Sequence, residues 1–157
     1  MVDELTGQGR VERVYREDGP RMVRTLFAYA RDMEIAEDAV AEAFAQVIRR
    51  GDEVRDVAAW VWRSSFRIAN GELAERRSRS SAQAREGRYE MGENAAEVFD
   101  AVGTLSPRQR AAILLHHYVD LPVRDVADAI GSTPAAVRVH LSVGRRRLRA
   151  LLEDDDA

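Results

Sequence analysis

Cysteine is absent from the 157 residues, which removes disulfides, thiolate metal sites and a cysteine nucleophile together. Lysine is absent as well, so all 24 basic residues are arginines. Only three histidines occur, His116, His117 and His140, and no spacing of donors suggests a metal centre. Aromatics at 6% and ten glycines are too few for a strand-rich sandwich or barrel. No apolar run approaches the roughly 18–20 residues that cross a bilayer. The acidic, polar opening segment, residues 1–7, lacks the basic start and apolar centre of a secretion signal. A cytoplasmic protein without membrane association is expected. There is no phosphate loop and no nucleophile constellation, so neither an enzyme nor a cofactor is expected. His116 and His117 are neighbours on a helix, so their rings diverge by about 100° and are poorly placed to share a ligand.

What remains is a folding chain: 45% hydrophobic and 32% charged residues in 17.6 kDa, room for one ordinary domain or two small ones. The net charge is −3. Its distribution says more than its size. Ser132 to Arg149 holds five arginines and no acid, and the acidic run 153–156 follows at once. A local basic face thus sits on a chain that is not basic overall, whereas a free-standing binder of phosphates is usually more positive.

Helical periodicity dominates. Ala36, Ala39, Val40, Ala43, Phe44, Val47 and Ile48 form one apolar stripe that ends near Gly51. Met22, Val23, Leu26, Phe27 and Ala30 predict a helix beginning just after Pro20. Val57 to about Arg77 predicts a longer one carrying Trp60, Val61, Trp62, Phe66, Ile68 and Leu73. Residues 78–97 are polar, rich in Ser and Gly, and lack a sustained stripe, which reads as a linker rather than a loop within one domain. A short helix, overlapping the end of that stretch, is expected over Ala95 to Gly103. Ser106 and Gln109 around Pro107 make a capping-box pattern that starts a helix running to about Tyr118, with Ala112, Leu115 and Val119 inward. The expected class is all-α, with two small helical domains over 1–77 and 98–152 and an acidic tail over 153–157.

The residues 123–141 have the spacing of a helix-turn-helix. Small Ala127 suits a close approach of two helices. Gly131, four positions on, supplies the positive backbone angle of the turn. Val137, six further, packs the second helix back, and Val126 and Ile130 complete the small core. Thr133 caps the second helix and Pro134 begins it. With Val137, Leu141, Gly144, Leu148 and Leu151 inward, the outward face carries Ala135, Arg138, Val139, Ser142, Arg145, Arg146 and Arg149. Such a helix can lie in a major groove, with Arg138 at a guanine or a phosphate and the later arginines on phosphates. The spacing alone also suits a generic three-helix bundle with a solvated arginine face.

The motifs 105–110, 125–131 and 137–149 resemble the fourth conserved region of extracytoplasmic-function (ECF) sigma factors, the small two-domain specificity subunits of bacterial RNA polymerase. Residues 36–44 resemble the family's core-polymerase helix in its second region. Residues 59–63 with Arg76 and Arg77 resemble the promoter-melting and upstream-recognition helix that follows. The resemblance implies several roles. Glu37, Asp38 and Glu42 would dock on the clamp helices of the largest polymerase subunit, while Phe44 packs inside. Trp62, with Arg63, Arg67, Arg76 and Arg77, would meet the minus-ten element, with Trp60 turned inward. Thr133, Ala135, Arg138, Val139, His140, Ser142, Arg145 and Arg146 would meet the minus-thirty-five element as duplex. Promoter DNA and core RNA polymerase are the implied partners, and an anti-sigma factor is a partner that many relatives have. Ala41, Arg67, His140 and Val143 depart from residues common in the family. Two alternatives stay open: a sigma-like interaction protein without initiation activity, and a free-standing helix-turn-helix regulator.

Overall fold

A computed structural model describes residues 7–79 and 92–155. The chain divides into two compact units, Met1–Glu86 and Gly87–Ala157. Among the described residues all regular structure is helical, and no helix is long and apolar enough to cross a membrane.

The first unit packs three helices, α1 (Gly7–Ala30), α2 (Met33–Arg50) and α3 (Val57–Ser78), each against the other two. α1 differs from expectation. It starts at Gly7 and passes through Pro20 instead of beginning after it. Gly19 is buried beside the Tyr15 ring, and Met22, Leu26, Phe27 and Tyr29 continue the same buried face beyond the proline. Packing of that face holds the helix together where one backbone donor is missing. Only Arg31 and Asp32 separate α1 from α2. Arg31 takes a left-handed conformation, φ 58°, and its N–H donates to the Phe27 carbonyl at 2.8 Å. The Asp32 carboxylate then accepts from the Ile35 N–H at 3.2 Å and caps α2.

On α2 the stripe is buried as expected from Ala36 through Val47, with Ile35 added, but Ile48 is exposed. Phe44 is 5% exposed and meets Tyr15 edge-on at 5.1 Å, so it is a core residue. The core is completed by Val61, Trp62, Phe66 and Ala69 of α3.

The second unit contains α4 (Glu93–Gly103), α5 (Pro107–Ile113), α6 (Val123–Ile130) and α7 (Pro134–Asp155). The stretch expected to be a linker falls mostly on residues 80–91, outside the described residues. Its last part, from Glu93, is already helical. The capping box is present: the Ser106 hydroxyl accepts from the Gln109 N–H, and the Gln109 side chain accepts from the Ser106 N–H. α5 does not run unbroken to Tyr118. Leu114–Tyr118 form a π turn, in which the Val119 N–H reaches the Leu114 carbonyl at 3.0 Å. Asp120, φ 63°, then turns the chain left-handed toward α6.

Candidate nucleic-acid interface

The turn between α6 and α7 has the geometry that its glycine demands. Gly131 sits at φ 64°, ψ 44°, and the Ser132 N–H returns to the Ala127 carbonyl at 2.9 Å. This closes α6 with a left-handed cap that a side chain would strain. The Thr133 hydroxyl accepts from the Ala136 N–H at 3.2 Å and starts α7. Val126, Ala127, Ile130, Val137 and Leu141 are all buried between the helices. Further along α7, Gly144 is buried; an added Cβ would stand 2.9 Å from Ile113 Cγ1, so a glycine lets α5 and α7 touch. Leu151 departs from expectation: it is 39% exposed, one turn past the half-buried Leu148, where the buried seam has run out.

The opposite side of α7 is open to water. Ala135, Arg138, Val139, Ser142, Arg145, Arg146 and Arg149 are exposed. Thr133 is exposed too, although its hydroxyl is engaged as a cap, and His140 is half-buried. Burial holds the His140 imidazole below its ordinary pKa, with a smaller contribution from the nearby Arg108 charge. The arginines are not equivalent. Arg147 donates to the Gln109 side chain at 3.2 Å and so joins α7 to α5. Arg145 donates to His117 Nε2 at 3.4 Å. The π turn brings His117 there: the same turn lets His116 Nδ1–H donate to the Leu121 carbonyl at 2.8 Å, which fixes one ring, while the other faces α7. His117 is exposed, but partial desolvation of its ring, then the charges of His116 and Arg145, hold it below its ordinary pKa of 6.5, against the opposing pull of Asp120. His117 is therefore neutral at neutral pH and can accept from a guanidinium. The sequence reading missed it, because adjacency of two histidines on a regular helix says nothing of a π turn.

In the first unit, the structure exchanges the two tryptophans. Trp62 is 4% exposed and lies inside, beneath the Arg21 guanidinium at 5.8 Å, whereas Trp60 is half-exposed. The reason is helical phase. At 3.6 residues per turn the buried positions Val61, Ser65, Ala69, Trp62 and Phe66 form one face, and Trp60 points roughly 170° away from its centre. Trp60 shares that outer side with Arg63 and Arg67, and the Arg50 guanidinium sits 5.7 Å from its ring. The aromatic available beside Arg63 and Arg67 is thus Trp60, not Trp62.

Arg76 is also repositioned. It falls on the buried side of α3, where its guanidinium pairs with Asp32, 5% exposed at its side chain, and lies 3.8 Å from Glu34. It ties α3 to the α1–α2 turn. Arg77, one residue on, is exposed. On α2, Glu37, Asp38, Ala41 and Glu42 are exposed on one side. Glu42 is engaged locally: it accepts from Gln46 at 3.0 Å and from Arg49 at 3.1 Å, and these two hydrogen bonds, Gln46 first, lower its pKa. Among the described residues no cluster of side chains is arranged to hold a metal ion.

Residues 95–148 match the family "Sigma-70, region 4". No curated protein matches the chain. Among solved structures, the chain is similar to the sigma factor RpoE from Bartonella quintana, determined with the anti-sigma factor NepR: TM-score 0.73 at 18% identity, over 90% of this chain and 96% of that one. It is also similar to CnrH, determined with the cytosolic domain of CnrY: TM-score 0.64 at 18% identity, over 98% of this chain and 93% of that one. At such identity the likeness is one of fold. The helix-turn-helix geometry and the family match coincide: residues 95–148 are a sigma-70 region 4 segment, and the chain shares the helical fold of RpoE and CnrH.

Proposed function

We propose that the chain is a sigma factor that binds core RNA polymerase and directs promoter-specific initiation. The observation that carries this reading is the exposed arginine face of α7, set on a correctly capped helix-turn-helix inside the region 4 match. In this reading residues 98–152 hold the minus-thirty-five element as duplex, with Arg138 at a base edge and Arg145 and Arg146 on phosphates, Arg145 steadied by His117. Residues 1–77 hold the polymerase through Glu37, Asp38 and Glu42 of α2, and the minus-ten element through Trp60, Arg63, Arg67 and Arg77 of α3. An aromatic flanked by arginines suits unpaired bases, which stack on the ring while guanidinium groups hold the backbone. An anti-sigma factor is a further partner in this reading, supported by the NepR complex of the similar RpoE.

The net charge of −3 supports a division of labour. A chain so weakly charged binds DNA poorly alone. Held on polymerase, both units act at high effective concentration beside the promoter, as linked modules do. The test is reconstitution with core polymerase, followed by run-off transcription and mapping of start sites. Selective initiation only with both components present is the expected result. Binding to core without initiation would leave an interaction protein, and strong sequence-specific binding by the free chain would favour a free-standing regulator.

A further inference from the structure

We infer that Val139 reads the C5-methyl group of a thymine in the major groove and thereby fixes one base pair of the upstream duplex element. The inference rests on the proposed role of the second unit as the reader of duplex promoter DNA, and it names part of that unit's specificity.

Val139 is 60% exposed, a large apolar side chain left in water on a face otherwise made of arginines and small residues. It stands on the side of α7 opposite the seam formed by Val137, Leu141 and Gly144, roughly 180° round the helix axis. Of its neighbours one turn away, Ala135 and Ser142 are exposed and short and Val143 is half-buried, so the valine methyls project beyond them. The charge around it chooses the partner. Arg138, Arg145 and Arg146 are exposed on the same side of α7, and no acid occurs between Ser132 and Leu152. Such a face suits a polyanion, with the valine along one edge and the cations beside it.

The chemistry of the side chain then selects the base. Valine has no donor or acceptor, so it gains nothing at a guanine, adenine or cytosine edge, whose major-groove features are polar. Thymine alone of the four bases presents an apolar group there, its C5 methyl. Valine is β-branched and nearly fixed in χ1 on a helix, so it gives up little rotamer freedom in that contact.

Uracil separates the contact from every other feature of thymine, because its hydrogen-bonding edge is identical and only the methyl is missing. The probe is a promoter library randomised across the upstream duplex element, synthesised once with thymine and once with uracil, and selected by the holoenzyme. Wild type is expected to select one thymine in the first library and to lose about fourfold of that preference in the second, the worth of one buried methyl-sized group. Val139→Ala is expected to show the lower preference in both libraries, and Val139→Ile to keep the difference; selection at guanine positions stays constant throughout. Equal selection of thymine and uracil by wild type overturns the inference, as does an undiminished difference in Val139→Ala; in both cases the unit's role as a duplex reader stands. Absence of any selected upstream position removes both readings.

Discussion

Replacing Arg76 tests whether this arginine holds the first unit together or touches DNA. Asp32 is nearly fully buried and has two roles: it caps α2 through the Ile35 N–H and pairs with the Arg76 guanidinium. Asp32→Ala removes a cap worth about 1 kcal/mol and a charge-assisted hydrogen bond worth about 1.5–3 kcal/mol, so the expected loss is about 2.5–4 kcal/mol. Arg76→Ala removes the second interaction only. Arg76 is 35% exposed, so water screens part of the pair and the loss belongs near about 2 kcal/mol. The two changes share one bond, and the double variant should therefore lose less than both singles together, by about 1–2 kcal/mol. For a unit of this size each kcal/mol moves the midpoint by roughly 4–8 °C. Thermal and urea unfolding of the four proteins of the cycle, followed by circular dichroism, gives the coupling. Arg77→Ala is the companion variant: its side chain is exposed and its unfolding should match wild type, while promoter binding by the holoenzyme weakens. A coupling near zero, together with a loss of promoter affinity in Arg76→Ala equal to that in Arg77→Ala, refutes the structural role.

Two glycine replacements are expected to have opposite signs. Gly71 lies exposed inside α3 with nothing within 4 Å of an added Cβ, so Gly71→Ala should stabilise the first unit by about 1 kcal/mol. Gly144→Ala gains the same helical preference but drives a Cβ to 2.9 Å from Ile113 Cγ1; overpacking costs about 1–3 kcal/mol, leaving the second unit up to about 2 kcal/mol less stable. Equal stabilisation by both in thermal melts would show that α5 and α7 do not need the close approach. Acidification supplies a third prediction. His117 and His140 titrate below 6.5 in the folded chain, so the unfolded chain takes up protons first. Their contribution is full above 6.5 and is lost as the pH falls through the lowered folded values. Urea midpoints measured between about pH 7.5 and 5.5 should fall for the second unit, and the fall should be smaller in His117→Gln with His140→Gln. An unchanged pH slope in that double variant would contradict the lowered pKa values of the two rings.

The helical class and the helix-turn-helix were legible in the residues alone. Both rest on local chemistry: apolar residues at helical spacing, a glycine where the backbone must turn left-handed, and hydroxyl caps at Ser106 and Thr133. Such signals lie within a few residues of the structure they cause. The tertiary fold decided what depends on helical phase and on the neighbour across the gap. Trp60 and Trp62 are alike in type and two positions apart, and only the packing of α3 on α1 and α2 fixed which one is buried. Arg76 looks like a surface base until Asp32, 44 residues earlier, is brought beside it. The helix through Pro20 persists because a buried face spans the proline, and the π turn sets His117 against Arg145, 28 residues later. Periodicity tells which residues share a face, but a long-range partner determines whether that face meets the core, an ion pair or water.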